Sequence, residues 1–312
     1  MTHVLNLALL ILGFVFLVKG ADWFVDGVSE IAERFGIPQL VIGLTIVAMG
    51  TSLPEAAVSL TSAIDGYTGI TFGNVVGSNI LNILLILGVT SLIANVPVKE
   101  STFRVEIPFV FIITILLLVM GYTDAKVTRV EGIILLVIFA AFMFYLFKRG
   151  GEADEEDEEA KWKDKSMLFL FAASLIGIAA IKFGADFVVD SASYFAELMG
   201  VSDRIIGLTV VAFGTSLPEL VTSATAAVKG KTDIAIGNIV GSDIFNILFI
   251  VGLTGIVTPV TFANKFIIDT LVAAASVVIL WLCLGRDRKL DKSSGVIMLV
   301  SYAAYFIYLL MG

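Results

Sequence analysis

Long apolar blocks separated by short polar breaks run the length of the chain. They predict helices near 4–33, 38–65, 70–94, 103–121 and 128–148, a polar stretch at 149–165, then helices near 166–198, 203–229, 233–257, 263–285 and 292–311. Each block is close to or above the ~20 apolar residues that carry a helix across hydrocarbon. The pattern reads as an all-α integral membrane protein of ten transmembrane helices. It divides into a first five-helix unit at 1–148, an acidic linker at 149–165 and a second five-helix unit at 166–312. Val4 to Val18 is apolar, but no Lys or Arg precedes it and no A-x-A pattern follows. It therefore reads as a first membrane helix and not as a signal peptide.

The two units repeat each other. Residues 41–60, VIGLTIVAMGTSLPEAAVSL, match 205–224, IIGLTVVAFGTSLPELVTSA, at 13 of 20 positions and a constant offset of 164. Residues 73–89, GNVVGSNILNILLILGV, match 237–253, GNIVGSDIFNILFIVGL, at 11 of 17 positions and the same offset, and GADWFVD at 20–26 matches GADFVVD at 184–190. Apolar helices resemble one another in composition, but they do not share Gly, Thr, Ser, Pro, Glu and Asn in one ungapped order by chance. Five crossings is an odd number, so the second unit enters from the opposite side and the repeats are expected to be inverted. Many secondary transporters are built this way, with broken helices and a binding site at the midplane.

Composition narrows the chemistry. The chain is 58% apolar and 15% charged, against about half and about a quarter in soluble domains. One cysteine, Cys283, excludes a disulfide framework and cysteine-based metal sites, and one histidine, His3, excludes HExxH chemistry and a Ser-His-Asp triad. The net charge of −8 argues against nucleic acid, and without the seven acids of 152–159 the balance is −1. No cofactor is expected. The expected partners are transported cations and the lipid bilayer, with the chain acting as a monomer.

GTSLPE occurs at 50–55 and 214–219, each time inside a strongly apolar helix. A glutamate at membrane depth is costly and marks function by default. Pro54 cannot donate to the carbonyl of Gly50, nor Pro218 to that of Gly214, so each helix breaks there. Freed carbonyls survive in the membrane only where they find a partner or line a wet cavity. Glu55 and Glu219, carbonyls of the 48–51 and 212–215 stretches and the hydroxyls of Thr51, Ser52, Thr215 and Ser216 would together form an all-oxygen cage, suited to Ca²⁺ and also to Na⁺. The competing reading is a proline kink whose glutamate pairs with a lysine, but no Lys or Arg falls in 35–98, 205–228 or 232–264.

The second block places Ser78 with Asn82, and Ser242 with Asn246, four residues apart on one helix face. Small-residue helix packing with polar glue would also explain it; its linkage to GTSLPE favours the cation site. Asp243 lies about 100° around the helix from Ser242. It is expected at the edge of the site or in a hydrogen bond to a neighbouring helix, not on the ion. Lys19, Asp22 and Asp26, with Lys182, Asp186 and Asp190, are expected to form ion pairs or to lie near the interface.

These residues resemble the cation/calcium exchanger superfamily in its prokaryotic sodium/calcium exchanger branch. The two GTSLPE and GNxxGS blocks are similar to the family's paired alpha repeats. The resemblance implies ten helices, with the long first and sixth moving against a core that holds the site. It implies that Glu55 and Glu219 ligate Ca²⁺ and share Na⁺, that Thr51, Thr215, Ala48 and Ala212 offer carbonyls, and that Ser52, Ser216, Ser78 and Ser242 give hydroxyls. Asn82 and Asn246 would line a central polar position. Some relatives carry an aspartate at one of these two positions, and an acid at the position of Asn246 goes with potassium co-transport. This chain has Asn at both, so no potassium requirement is expected.

The function this implies is an antiporter that exchanges Ca²⁺ for Na⁺ by alternating access, and not an enzyme. Ca²⁺/H⁺ exchange on the same glutamates is the nearest alternative. GTSLPE, in place of the GNxxE pattern of proton-coupled relatives, favours sodium. An intramembrane hydrolase using the paired glutamates lacks a nucleophile–base pair and any reason for the duplication. Fourteen Lys and Arg fall on one face of the expected layout and four (Lys126, Arg129, Arg204, Lys265) on the other. The positive-inside rule then places the linker in the cytoplasm and both termini outside the inner membrane. A reporter active only in the cytoplasm, fused after Gly312, is expected to be silent and to become active when moved into the linker; the reverse result would overturn the orientation.

Overall fold

The computed structural model describes residues 2–149, 162–200 and 212–311. The acidic run, Arg204 and the 205–211 part of the repeat lie outside these residues, and of Ala212 only the backbone is described. The described chain is helical apart from four two-residue strands and short connecting turns. Helix α1 is Thr2–Arg34; α2 (Gln39–Thr51) and α3 (Leu53–Ile64) are two arms of one bent span; α4 is Thr68–Ile93, α5 Thr102–Asp124 and α6 Arg129–Arg149. The second unit has α7 (Met167–Leu198), α8 (Ala212–Thr215), α9 (Leu217–Val228), α10 (Thr232–Val257), α11 (Lys265–Leu284) and α12 (Lys292–Met311). Eight helices among the described residues are long and apolar enough to cross a membrane, and the bent pair α2–α3 makes up to nine.

Burial sorts these helices. The most apolar stretch of α10 is 94% buried and that of α4 is 72%, against 17–39% for the other six. α4 and α10 therefore form the centre, and the rest wrap them with side chains such as Ile112, Val137, Leu175 and Leu282 exposed. An outward apolar surface of this kind is what a lipid-facing wall requires.

Helices α1 and α7 form a separate layer. At 33 and 32 residues they are ~50 Å long at 1.5 Å per residue, well beyond the ~30 Å of hydrocarbon. They run antiparallel, with the Tyr194 hydroxyl 2.6 Å from His3 Nδ1 at one end and Arg34 donating to the Lys163 carbonyl at 2.8 Å at the other. Glycines every seven residues set their approach. A Cβ on Gly13 would lie 2.9 Å from the Gly184 carbonyl oxygen, and one on Gly20 2.7 Å from that of Gly177. Without a hydrophobic drive between helices in lipid, such backbone contact supplies the packing.

Short antiparallel strands tie the two units together. β1 (Val96–Pro97) pairs with β4 (Lys289–Leu290), and β2 (Lys126–Val127) with β3 (Val260–Thr261). Allowing for the offset of 164, the two pairings are the same contact made twice, to within one residue. Beside the first, Lys99 pairs with Asp233 at 2.8 Å and Arg288 with Glu100 at 2.9 Å. Arg288 lowers the Glu100 carboxyl, first through its hydrogen bond. Asp291 accepts from Ser294 N at 2.9 Å at the start of α12, and bonds led by that from the Ser293 hydroxyl hold its carboxyl at about 2.

The internal charges pair over longer distances than their spacing suggests. Lys182 and Asp186 form the expected ion pair along one helix. Asp22 and Asp26 both turn to Lys229, each at 2.6 Å, which fastens α1 to the end of α9. Lys229 is 19% exposed and Asp26 8%, so removing the cation takes a charged partner from a nearly buried carboxylate. Lys229→Ala is expected to cost about 1–3 kcal/mol, read as a lower midpoint on heating the detergent-purified protein. Adding Asp26→Asn should recover most of that loss; a second, additive loss would show that packing and not charge holds the contact.

Candidate functional site

Both helix breaks occur at GTSLPE. α2 and α3 meet at 47° across Ser52, whose φ of −85° and ψ of 10° leave the helical range; Ser216 repeats it at −94° and 5°. Proline sits in the first turn of the following helix in both cases, where its missing N–H costs nothing. The first turn of each such helix also carries the glutamate.

The breaks bring the two glutamates into one cluster. Glu55 and Glu219 are 1% and 0% exposed. Ser52 Oγ donates to Glu219 Oε1 at 2.8 Å and Ser216 Oγ to Glu55 Oε1 at 3.3 Å, so each carboxylate is held by the serine of the other unit. Asn74 Nδ2 donates to the Glu55 carbonyl at 3.2 Å and to Ser59 Oγ at 3.0 Å. Asn238 makes the same pair of bonds to the Glu219 carbonyl at 3.4 Å and Ser223 Oγ at 2.9 Å. Thr51 Oγ1 donates across to Asn238 Oδ1 at 3.0 Å, and Ser242 Oγ lies 3.5 Å from the Ala48 carbonyl. The expected residues Glu55, Glu219, Thr51, Ser52, Ser216, Ser78, Ser242, Asn82 and Asn246 are all buried.

A second layer lies one turn along α4 and α10, where each helix widens into a π-turn, at Leu81–Ile86 and Phe245–Ile250. Such turns shift the side-chain register and recur at functional sites. Asn82 Nδ2 donates to Asp243 Oδ1 at 3.0 Å and Asn246 Nδ2 to Asn79 Oδ1 at 3.0 Å, the same crossed contact made from both units. Asn79 Nδ2 also donates to the Asp243 carbonyl at 3.2 Å. Asp243 is fully buried and bonded to the neighbouring helix.

The cluster is rich in acceptors and poor in donors. Glu55 Oε2, Glu219 Oε2, Asn82 Oδ1, Asn246 Oδ1 and Asp243 Oδ2 are buried without a hydrogen-bond donor. Orphaned acceptors are costly in a dry interior, and a hard cation is the group that satisfies several at once. No group of three or more His, Cys, Asp or Glu side chains converges among the described residues. A cation here would meet two carboxylates and neutral oxygens. Asn74, Asn238, Ser59, Ser223 and Asn79 were not among the expected site residues. The repeated GN dipeptide and the serine four residues after each glutamate were the signals for most of them.

A helical, multi-pass membrane protein with a buried oxygen-lined cluster where its repeats meet belongs to the class of ion transporters. The sequence profile of the sodium/calcium exchanger protein family matches residues 5–148 and 169–311. The chain is 36% identical over 308 residues to the putative antiporter CaxA of Alkalimonas amylolytica, covering 95% of each. It is 32% identical to the sodium/calcium exchanger MaX1 of Methanosarcina acetivorans, over 97% of this chain and 98% of that one. The solved structure of the sodium-calcium exchanger NCX_Mj superposes with a TM-score of 0.84 at 31% identity, covering 97% of this chain and 98% of that one. The chain belongs to the sodium/calcium exchanger family. Its relatives named here are exchangers or antiporters, and it is a multi-pass membrane cation antiporter of the same kind.

Proposed function

We propose that the protein expels Ca²⁺ in exchange for Na⁺ across the inner membrane, by alternating access at a site built on Glu55 and Glu219. The observation that carries this reading is the pair of buried carboxylates from equivalent positions, each bonded by the other unit's serine and each keeping one oxygen free of donors. Thr51, Thr215, Ala48 and Ala212 contribute carbonyls, Ser52, Ser216, Ser78 and Ser242 hydroxyls, and Asn82 and Asn246 amide oxygens. No resident cofactor takes part; the cations are the cargo.

Charge gives the coupling. Two carboxylates are neutralised by one Ca²⁺ or by at least two Na⁺, so the two ions compete for one place and neither leaves the site uncompensated. Sodium is favoured over protons by the GTSLPE motif and by likeness to proteins named as sodium/calcium exchangers. The layout that fits is ten spans in two inverted units, 1–148 and 166–312, joined by a cytoplasmic linker at 149–165, with both termini outside. The crossed strand pairs and crossed serine–glutamate bonds support a two-fold relation between the units.

Calcium uptake into inside-out vesicles is expected to need an outward sodium gradient and to survive collapse of the proton gradient. Uptake driven by protons alone would transfer the reading to Ca²⁺/H⁺ exchange. Glu55→Gln and Glu219→Gln are each expected to reduce sodium-driven calcium flux by about 10²-fold or more, since divalent affinity follows the ligand charge count. Near-normal flux in either variant would remove the glutamates from the mechanism.

A further inference from the structure

We infer that Asp243 and Asn79 are positioning residues that fix the amides of Asn82 and Asn246 so that both carbonyl oxygens, and neither NH₂ group, face the transported ion. This inference rests on the site proposed above.

An asparagine in a cation site is useful in only one of its two orientations. Its oxygen can ligate, whereas its NH₂ group repels the ion, and the two ends are nearly the same size. Some neighbouring group must break the tie. In its ionised form Asp243 offers only acceptors, and its Oδ1 faces Asn82 at 3.0 Å. The Asn82 atom there must be nitrogen, and Asn82 Oδ1 is left buried and without a donor. The second amide follows from the same residue. The backbone carbonyl of Asp243 also only accepts, so Asn79 turns its Nδ2 to it at 3.2 Å. Asn79 Oδ1 then faces Asn246, which must present Nδ2 at 3.0 Å. Asn246 Oδ1 is left buried and without a donor. Two acceptor-only groups of one residue thus settle three amides.

The sequence supports this division of labour. Residues 79 and 243 are equivalent across the repeat, as are 82 and 246, and the structure pairs each member of one set with the opposite member of the other. With Asn at both 79 and 243, the contact to Asn82 could be made either way round. The aspartate removes that freedom. Asp243 spends Oδ1 on Asn82, while its Oδ2, like one oxygen of Glu55 and of Glu219, is buried without a donor, so the variants must separate an orienting role from direct ligation.

The test is calcium binding to the detergent-purified protein, with monodispersity checked for every variant. Asp243→Leu removes the acceptor and is expected to weaken binding about 10–100-fold, the usual effect of losing a group that orients a ligand. Asp243→Ala serves instead if the leucine variant does not stay monodisperse. Asp243→Asn keeps an acceptor oxygen but lets the contact be made either way round, so it should lose affinity too, by less than the leucine variant. Asn82→Asp in the Asp243→Leu background should recover most of the affinity, because a carboxylate offers oxygen whichever way it turns. Equal losses in Asp243→Asn and Asp243→Leu would show that the charge itself holds the ion and overturn the orienting role, as would unchanged binding in Asp243→Leu. Glu219→Gln, measured beside them, separates the two levels: unimpaired calcium binding there overturns the site itself.

Discussion

The structure is organised around two carboxylates held deep among apolar helices without a basic side chain in the segments around them. Burying such groups is tolerable only when something compensates the charge. A lysine would do so permanently and leave an inert ion pair. Ser52 and Ser216 instead satisfy one oxygen of each carboxylate by a single hydrogen bond, across the boundary between the units. One oxygen of each carboxylate is left without a donor, and in the function proposed above that is the place of a cation that can come and go.

The neutral part of the cluster serves the same end. Asn74 and Asn238 spend both NH₂ hydrogens on the backbone carbonyl of a glutamate and on a nearby serine. They brace the first turn after each break, where the chain has lost a regular helical bond. The π-turns behind them let Asn82 and Asn246 meet residues 243 and 79 without unwinding α4 and α10. Both helices stay continuous and central while the spans beside them bend.

Much of this was legible in the sequence. The helix limits expected at 70–94, 233–257 and 292–311 lie within two residues of those observed, because apolar length is a strong signal where every backbone group must bond internally. The break at GTSLPE and the burial of Glu55 and Glu219 followed from one proline and one charge. The bracing asparagines did not stand out, because Asn in a small-residue helix reads equally as packing glue. Nothing in the sequence near Lys229 points to its partners Asp22 and Asp26, which lie some 200 residues away. Helical spacing shows neighbours on one helix and nothing of what slides up against it.

That clamp also marks where the duplication stops being symmetrical. Counting by the offset of 164, Asp22 and Asp26 correspond to Asp186 and Asp190, and Lys229 corresponds to Asp65. On one side a lysine ties the long helix to the end of α9; on the other, the equivalent meeting would set three acids together. The packing is unequal as well. Leu217, at the start of α9 beneath α1, is 6% exposed, whereas its counterpart Leu53 is 57% exposed. Lys229 at the end of one half-helix ties α1 to α9, whereas its counterpart Asp65 brings no cation to the end of α3.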